Sequence, residues 1–275
     1  MPGAMLDALT NLLRGRRVLV LTGAGVSTDS GIPDYRGRSA PVRRRPPLQH
    51  QDFVREPTVR ARYWARSTLG WPRFRDVTPN DTHRALAAWQ RSGQLSGLVT
   101  QNVDQLHQKG GAVDVIELHG ALANARCLSC GGLEPRDALQ RRLVELNPGF
   151  ERSGFTVLQD GDVELPDDVV ERFVVPSCLA CGGVLKPDVV FFGDAVPPPR
   201  VQAAFARLDF AEVLLVLGSS LTVFSGYRFA LRANEQRKPV VIVNDGPTRA
   251  DALAALKADE RLSSVLPAVV ASLTG

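Results

Sequence analysis

Four cysteines stand in this chain as two identical spacings, Cys127-Leu-Ser-Cys130 and Cys178-Leu-Ala-Cys181. Residues 131–177, 47 in all, separate them, and each pair runs into two glycines, Gly131-Gly132 and Gly182-Gly183. A C-x-x-C turn brings two thiolates to one ion, and the glycines let the chain turn tightly around it. Two such turns complete the sulfur tetrahedron of a closed structural Zn²⁺ site. Redox pairs or disulfides are the competing reading. No cysteine is left over, and the shared Cys-Gly-Gly shape favours zinc. The gap is longer than in a simple zinc ribbon, so the insert is expected to carry structure of its own.

The rest of the chain alternates. Arg17-Val-Leu-Val-Leu-Thr22 is a short apolar run entering the turn Gly23-Ala24-Gly25, and similar runs follow at 98–100, 113–118, 213–217 and 240–243. Helical patterns lie at 81–92, 199–208, 225–235 and 249–257, and Met5, Leu6, Leu9, Leu12 and Leu13 mark a short amphipathic helix at the start. Apolar strands alternating with helices predict an α/β fold, a Rossmann-like parallel sheet with helices on both faces. Two stretches break the rhythm. Residues 121–186 hold both cysteine pairs and read as a small inserted zinc-binding domain. Residues 36–75 read as a loop and a few helices forming a lid.

At 275 residues the chain can bury a sizeable core, and 44% hydrophobic with 23% charged residues is ordinary for a globular protein. No apolar stretch approaches a membrane span, and no membrane partner is expected. Neither a signal peptide nor a transit peptide is read at the N-terminus, because the first strand begins near Arg17. A cytoplasmic monomer is the expectation. The net charge is +4, with 33 basic residues, nearly all of them arginine. The run Arg43-Arg44-Arg45 reads as a solvated loop. The basic excess is small and not interleaved with aromatics, so no specific nucleic acid is expected.

A strand ending in Gly23-Ala24-Gly25 suits a dinucleotide pyrophosphate, since glycine permits close backbone approach and free N–H groups at a following helix bind anions. The signal is incomplete. Thr28 stands where the fingerprint has its third glycine, and no acidic residue closes a second strand about twenty residues on. A tight structural turn explains these glycines equally well. Other strand ends carry polar clusters of the same kind: Thr100-Gln101-Asn102-Val103-Asp104, Leu118-His119-Gly120, Gly218-Ser219-Ser220 and Asn244-Asp245-Gly246. Each could cap a helix. Together they point to one crevice at the carboxyl ends of the strands.

The glycine loop through Gly37, Gln101-Asn-Val-Asp-Gln-Leu-His107, His119-Gly120, the four cysteines, Lys186-Pro-Asp-Val-Val-Phe-Phe-Gly-Asp194 and Gly218-Ser219-Ser220 occur in the order of the sirtuins, the NAD-dependent protein deacylases. The resemblance spans roughly residues 10–270 and rests on six separate motifs. Tyr63-Trp64-Ala65-Arg66, Gly226-Tyr227-Arg228-Phe229 and the long insert between the cysteine pairs most resemble the class II, lipoamidase and ADP-ribosyltransferase type.

The resemblance implies a division into residues 1–120 and 187–275 as the NAD-binding domain and 121–186 as the zinc-binding domain. It implies that the acyl group of an acyl-lysine protein or peptide passes to ADP-ribose as nicotinamide leaves. His119 is then the general base on a ribose hydroxyl, a role that suits a histidine pKa near working pH. Asn102 and Asp104, with Ser27 and Ile32, would hold the nicotinamide carboxamide and ribose. Asp34 and Arg36 would order the loop over the cofactor, and Tyr35 would shield the reactive sugar. Gly23, Ala24, Gly25, Thr28, Pro33, Gln101 and Val103 line the same site. Gly218, Ser219, Ser220, Asn244, Asp245 and Gly246 would hold the adenosine half. His107 is read as structural. Val190, Phe192 and Gly193 would line the acyl-lysine tunnel and pair with the substrate backbone.

Tyr63 and Arg66 match in spacing the pair by which desuccinylase sirtuins grip a carboxylated acyl chain, and an arginine fork suits a carboxylate. A preference for long or acidic acyl groups follows from that match. A solvated lid helix is the competing reading. Protein mono-ADP-ribosylation is the alternative within the same chemistry. A non-catalytic NAD- or zinc-dependent binding protein is the alternative outside it. A zinc-ribbon nucleic-acid protein would demand a strongly salt-dependent DNA affinity. The zinc is expected to be structural, remote from the bond being broken and closed to water.

Overall fold

A computed structural model describes residues 2–34, 47–150, 154–155 and 163–275. Tyr35, Arg36 and the run Arg43-Arg44-Arg45 lie outside the described residues. In chain order the elements are α1 (Pro2–Leu13), β1 (Val18–Thr22), α2 (His50–Arg55), α3 (Pro57–Asp76), α4 (Asp81–Arg91), β2 (Leu95–Thr100), α5 (Leu106–Lys109), β3 (Val115–Glu117), β4 (Gly120–Cys127), β5 (Leu133–Pro135), α6 (Arg136–Leu146), α7 (Asp167–Glu171), β6 (Leu185–Val189), α8 (Pro198–Phe210), β7 (Val213–Leu217), α9 (Phe224–Glu235), β8 (Val240–Val243), β9 (Ala254–Ala258) and α10 (Leu262–Thr274).

The described residues fall into two compact units. The first comprises residues 2–34, Thr78–His119 and Val196–Gly275. Its sheet has the order β3-β2-β1-β7-β8-β9, every pair parallel. This is the doubly wound arrangement, in which the chain leaves β1 in both directions. The apolar runs serve both faces because successive side chains point opposite ways. Val18, Val20, Val213 and Leu215 pack with Leu9, Leu86, Trp89 and Leu266 of α1, α4 and α10. Leu19, Leu21, Leu214 and Val216 pack with Leu208, Phe229 and Ala230 of α8 and α9.

One element departs from expectation. The helix expected over 249–257 is a short 3-10 turn, Asp251–Leu253, followed by β9. Asp-Ala-Leu-Ala-Ala-Leu-Lys has high intrinsic helix propensity. Parallel pairing of Val241, Ile242 and Val243 with Leu256, Lys257 and Ala258 overrides it at the sheet edge.

The second unit comprises residues 47–77 and Gly120–Ala195, as far as they are described. It holds the antiparallel sheet β5-β4-β6. The segment read as a lid on the sheet domain groups with the cysteine-bearing insert instead. Phe53 of α2 and Trp64 and Ala65 of α3 are buried in one cluster with Ala125, Cys127, Leu139, Leu143 and Leu185. Trp64 Nε1 donates to the Leu185 carbonyl at 3.2 Å, and the Arg136 guanidinium lies over the Trp64 and Trp71 rings. Burial of this large aromatic side chain decides the grouping.

Candidate active site and zinc centre

The carboxyl ends of β1, β2, β3, β7 and β8 all lie at one edge of the parallel sheet, and β1 sits between β2 and β7. The loops after β1 and β7 interlock. Gly23 N–H donates to the Leu217 carbonyl at 3.0 Å and Gly25 N–H to the Gly218 carbonyl at 2.8 Å. A Cβ on Gly23 would come within 2.6 Å of Ser219 Cβ, and one on Gly25 within 2.8 Å of Gly218 Cα. Gly218 itself has φ +59°. The glycines are required here by the approach of two backbones. Two short 3-10 turns follow, Ala24–Val26 and Thr28–Ser30. Thr28 Oγ1 donates to the Gly25 carbonyl at 3.0 Å, and Ile32 N–H returns to the Ser27 carbonyl at 3.2 Å. Pro33 and Asp34 are half-buried at the end of this loop.

Within the first unit Ser27, Asn102 and Asp104 form a buried polar cluster. Ser27 Oγ donates to Asp104 Oδ2 at 2.7 Å, and Asn102 Nδ2 donates to Ser27 Oγ at 3.1 Å. Asp104 Oδ1 accepts from Leu106 N–H at 2.9 Å. Burial raises the Asp104 pKa against these hydrogen bonds. Val103 is half-buried between the two, and Gln105 next in line takes φ +58°, a left-handed conformation that a non-glycine residue adopts at a cost. Below the cluster, Asn102 N–H donates to Thr100 Oγ1, which also accepts from Thr22 Oγ1 at 2.9 Å. Thr22 Oγ1 lies 2.9 Å from His107 Nε2, so His107 supports the cluster from the core. A carboxamide brought to this cluster would meet both donors and acceptors.

His119 follows β3. Its Nδ1 is 2.9 Å from the Gln101 carbonyl. A carbonyl only accepts, so Nδ1 carries the proton and Nε2 holds the basic lone pair. Burial lowers the His119 pKa, the Gln101 hydrogen bond opposes this, and the cations Arg228 and Arg200 lower it further. The imidazole is therefore neutral at neutral pH and able to accept a proton. Gln101 also donates from Nε2 to Ser219 Oγ at 2.8 Å. Ser220 Oγ is 3.0 Å from Thr222 Oγ1. Asn244 Nδ2 donates to the Gly246 carbonyl at 2.9 Å, closing the loop after β8 through the half-buried Asp245.

The four cysteines converge in the second unit. Their sulfurs all lie within 4.8 Å of one another, with Cys127 and Cys181 3.5 Å apart and Cys130 and Cys178 3.8 Å apart. A tetrahedron with Zn–S near 2.3 Å has edges of about 3.8 Å. None of the four is in a disulfide. The two turns are built alike. Gly131 has φ +73° and Gly182 φ +72°, and each donates to the carbonyl of the first cysteine of its pair, at 3.0 and 2.9 Å. A Cβ on Gly183 would come 2.9 Å from Cys127 Sγ and 2.5 Å from Ser129 Oγ, so glycine is what lets the second turn close on the first. Backbone N–H groups of Cys130 and Ser129 hold the Cys127 thiol at about 6, which favours the thiolate that a metal needs. Against the Gly183 N–H, sharing protons within the cluster pushes the Cys181 thiol up to about 12, and it is the sulfur set and its spacing that fit Zn²⁺.

In the same unit Tyr63 packs edge-on against Phe53, Trp64 and Phe191, with centroids 5.1–5.6 Å apart. Arg66 stands half-buried one turn along α3. Val190 lies just past the end of β6, and Phe192 pairs in parallel with Gln49, its carbonyl accepting from His50 N–H at 2.8 Å. Gly193 has φ +77°.

Comparison with known proteins bears directly on this arrangement. The Sir2 family profile matches residues 23–225. The chain belongs to the Sir2 family. A bovine relative, NAD-dependent protein lipoamidase sirtuin-4, mitochondrial, is 53% identical over 92% of this chain and 82% of its own. NAD-dependent protein deacetylase 1 of Streptomyces coelicolor is 52% identical over 96% of this chain and 88% of its own. A solved Sir2–p53 peptide–NAD⁺ complex is 29% identical, with a TM-score of 0.75 over 97% of each chain.

The cytoplasmic expectation for this Sir2-family chain is overturned by the bovine relative, which is named as mitochondrial. Sequence reasoning also missed Ser225, whose Oγ is 2.8 Å from His119 Nε2, and named Arg228 only within the stretch Gly226-Tyr227-Arg228-Phe229, with no role at the site, although it lowers the His119 pKa. The only signal was a polar residue beside Gly226 at the start of a helix that follows a site loop.

Proposed function

We propose that this protein is an NAD-dependent protein lysine deacylase that moves the acyl group of an acyl-lysine side chain to ADP-ribose with release of nicotinamide. The observation that carries the mechanism is the tautomer of His119, set by the Gln101 carbonyl, which leaves Nε2 basic in a neutral ring. NAD supplies, when bound, the ribose carbon that takes the acyl oxygen as nicotinamide departs. His119 Nε2 takes the proton of a ribose hydroxyl, which frees that oxygen to attack the acyl carbon. Asn102 and Asp104, tied through Ser27, bind the carboxamide and ribose. Buried as they are, they exchange hydrogen bonds with the ligand without reorganising water. The glycine loops with Ser219, Asn244 and Asp245 carry the phosphate and adenosine half. Cys127, Cys130, Cys178 and Cys181 hold a Zn²⁺ that takes no part in the chemistry. Val190, Phe192 and Gly193 bind the substrate as an added strand.

The finer reading concerns the acyl group. Tyr63 and Arg66 favour long or acidic chains, since a guanidinium with a tyrosine hydroxyl pairs a carboxylate well. The base assignment is tested with His119→Ala, which should retain NAD binding by calorimetry while nicotinamide release driven by acyl-peptide turnover is lost. Unchanged turnover would refute it. Rates on acetyl-, succinyl-, glutaryl- and lipoyl-lysine peptides test the acyl preference. Fastest removal of acetyl, insensitive to Arg66→Ala, would refute that part alone.

A further inference from the structure

His119 is held at both ring nitrogens. The Gln101 carbonyl takes the Nδ1 proton at 2.9 Å, and Ser225 Oγ stands 2.8 Å from Nε2. Nε2 then has only its lone pair to offer, so the Ser225 hydroxyl is the donor. Ser225 is the second residue of α9, and the fit of that helix is tight. A Cβ on Gly226 would lie 2.4 Å from Gln101 Oε1 and 2.8 Å from its Cδ. The first turn of α9 thus closes against the same residue whose carbonyl orients the ring. Arg228 fastens the turn from three positions along, its Nε donating to the Ser225 carbonyl at 3.2 Å. Among the described residues, the charged groups that act on the ring are Arg228 and Arg200, both cations.

A base whose lone pair already accepts a hydrogen bond cannot accept a second proton donor in the same direction. We propose that Ser225 is a positioning residue for His119, its hydroxyl capping Nε2 in the free enzyme at the place the substrate hydroxyl must take. The proposal rests on the assignment of His119 as base. On displacement Ser225 keeps its own proton and turns away, the substrate O–H bond breaks, and an Nε2–H bond forms. The cap keeps the ring in one tautomer and one rotamer and keeps Nε2 from other electrophiles until the substrate arrives.

The test reads the free enzyme first. Diethyl pyrocarbonate reacts with an imidazole lone pair, and peptide mapping by mass spectrometry follows His119 against the other three histidines. Ser225→Ala should raise the rate of His119 modification at pH 7.5 by roughly twofold to tenfold, the range of one lost hydrogen bond. Ser225→Thr, which keeps a hydroxyl, should leave it slow. Equal rates in wild type and Ser225→Ala overturn the proposal. With NAD and an acyl-lysine peptide, the less ordered ring of Ser225→Ala should lower kcat/KM by roughly twofold to tenfold, and Ser225→Thr should restore it. A loss as complete as that of His119→Ala would show the hydroxyl to be an obligatory proton relay and would overturn displacement. Acyl transfer that survives in His119→Ala would overturn the base assignment instead, and the modification rates, read without NAD, judge the cap separately.

Discussion

His83 and His107 form a buried pair whose rings lie 4.9 Å apart, and their cost can be isolated by replacing one of them. His83 is wholly buried and His107 1% exposed. Among the described residues, His83 Nε2 and His107 Nδ1 have no hydrogen-bond partner. Burial lowers His83 to about 4 and His107 to about 3, from 6.5 in each case. The unfolded chain therefore takes up protons that the folded one refuses. Stability from these groups is complete above the unfolded value and is lost as pH falls below 6.5 toward the folded values. Between pH 7.5 and pH 5 each ring costs about 2 kcal/mol, or ~4 kcal/mol for the pair, at 1.36 kcal/mol per pH unit. Asp104 and Glu117, whose pKa values burial raises, act with the opposite sign. They are present in both proteins and cancel in a comparison. His107→Gln keeps an amide donor for Thr22 Oγ1 but cannot protonate. Urea denaturation of wild type and variant at both pH values gives two differences in unfolding free energy. The difference for the variant should be smaller by about 2 kcal/mol, whatever its stability at pH 7.5. Equal pH dependence in the two proteins would refute the reasoning.

Three further perturbations act elsewhere. Removing zinc with a strong chelator should release one ion per chain and unfold the second unit with loss of activity, because a structural zinc site contributes its binding energy to folding; a retained fold by near-ultraviolet circular dichroism would contradict this. Arg228→Ala should move the acidic limb of the kcat/KM profile upward, since the cation lowers the His119 pKa; in the wild type that limb should lie below 6.5, with activity lost as pH falls through it. Trp64→Ala, at a site 1% exposed, should cost about 3–5 kcal/mol in thermal or denaturant unfolding, and a loss under 1 kcal/mol would show that α3 is not anchored through this ring.

What the sequence made legible follows from where its information is local. The run Val18–Thr22 into Gly23 could only be a buried strand and a turn, and the cysteine turns carry their geometry within six residues each. Their equal glycine conformations, φ +73° and +72°, are the physical content of the repeated Cys-Gly-Gly. The strand Ala254–Ala258 was illegible because its residues favour helix, and only pairing with β8 decides otherwise. The grouping of α3 with the cysteine unit depends on where Trp64 is buried, which no local pattern states. Ser225 reaches His119 across 106 positions of chain. The need for glycine at 226 is visible only once Gln101 is seen against it.

The central claim is the transfer of an acyl group to ADP-ribose. Its most direct measurement is mass spectrometry of the products formed from NAD and an acyl-lysine peptide by the purified zinc-loaded protein. The account predicts nicotinamide, free-lysine peptide and acyl-ADP-ribose in equal amounts, with neither free-lysine peptide nor acyl-ADP-ribose formed by His119→Ala. ADP-ribose attached to protein, with the acyl-lysine left intact, would contradict it.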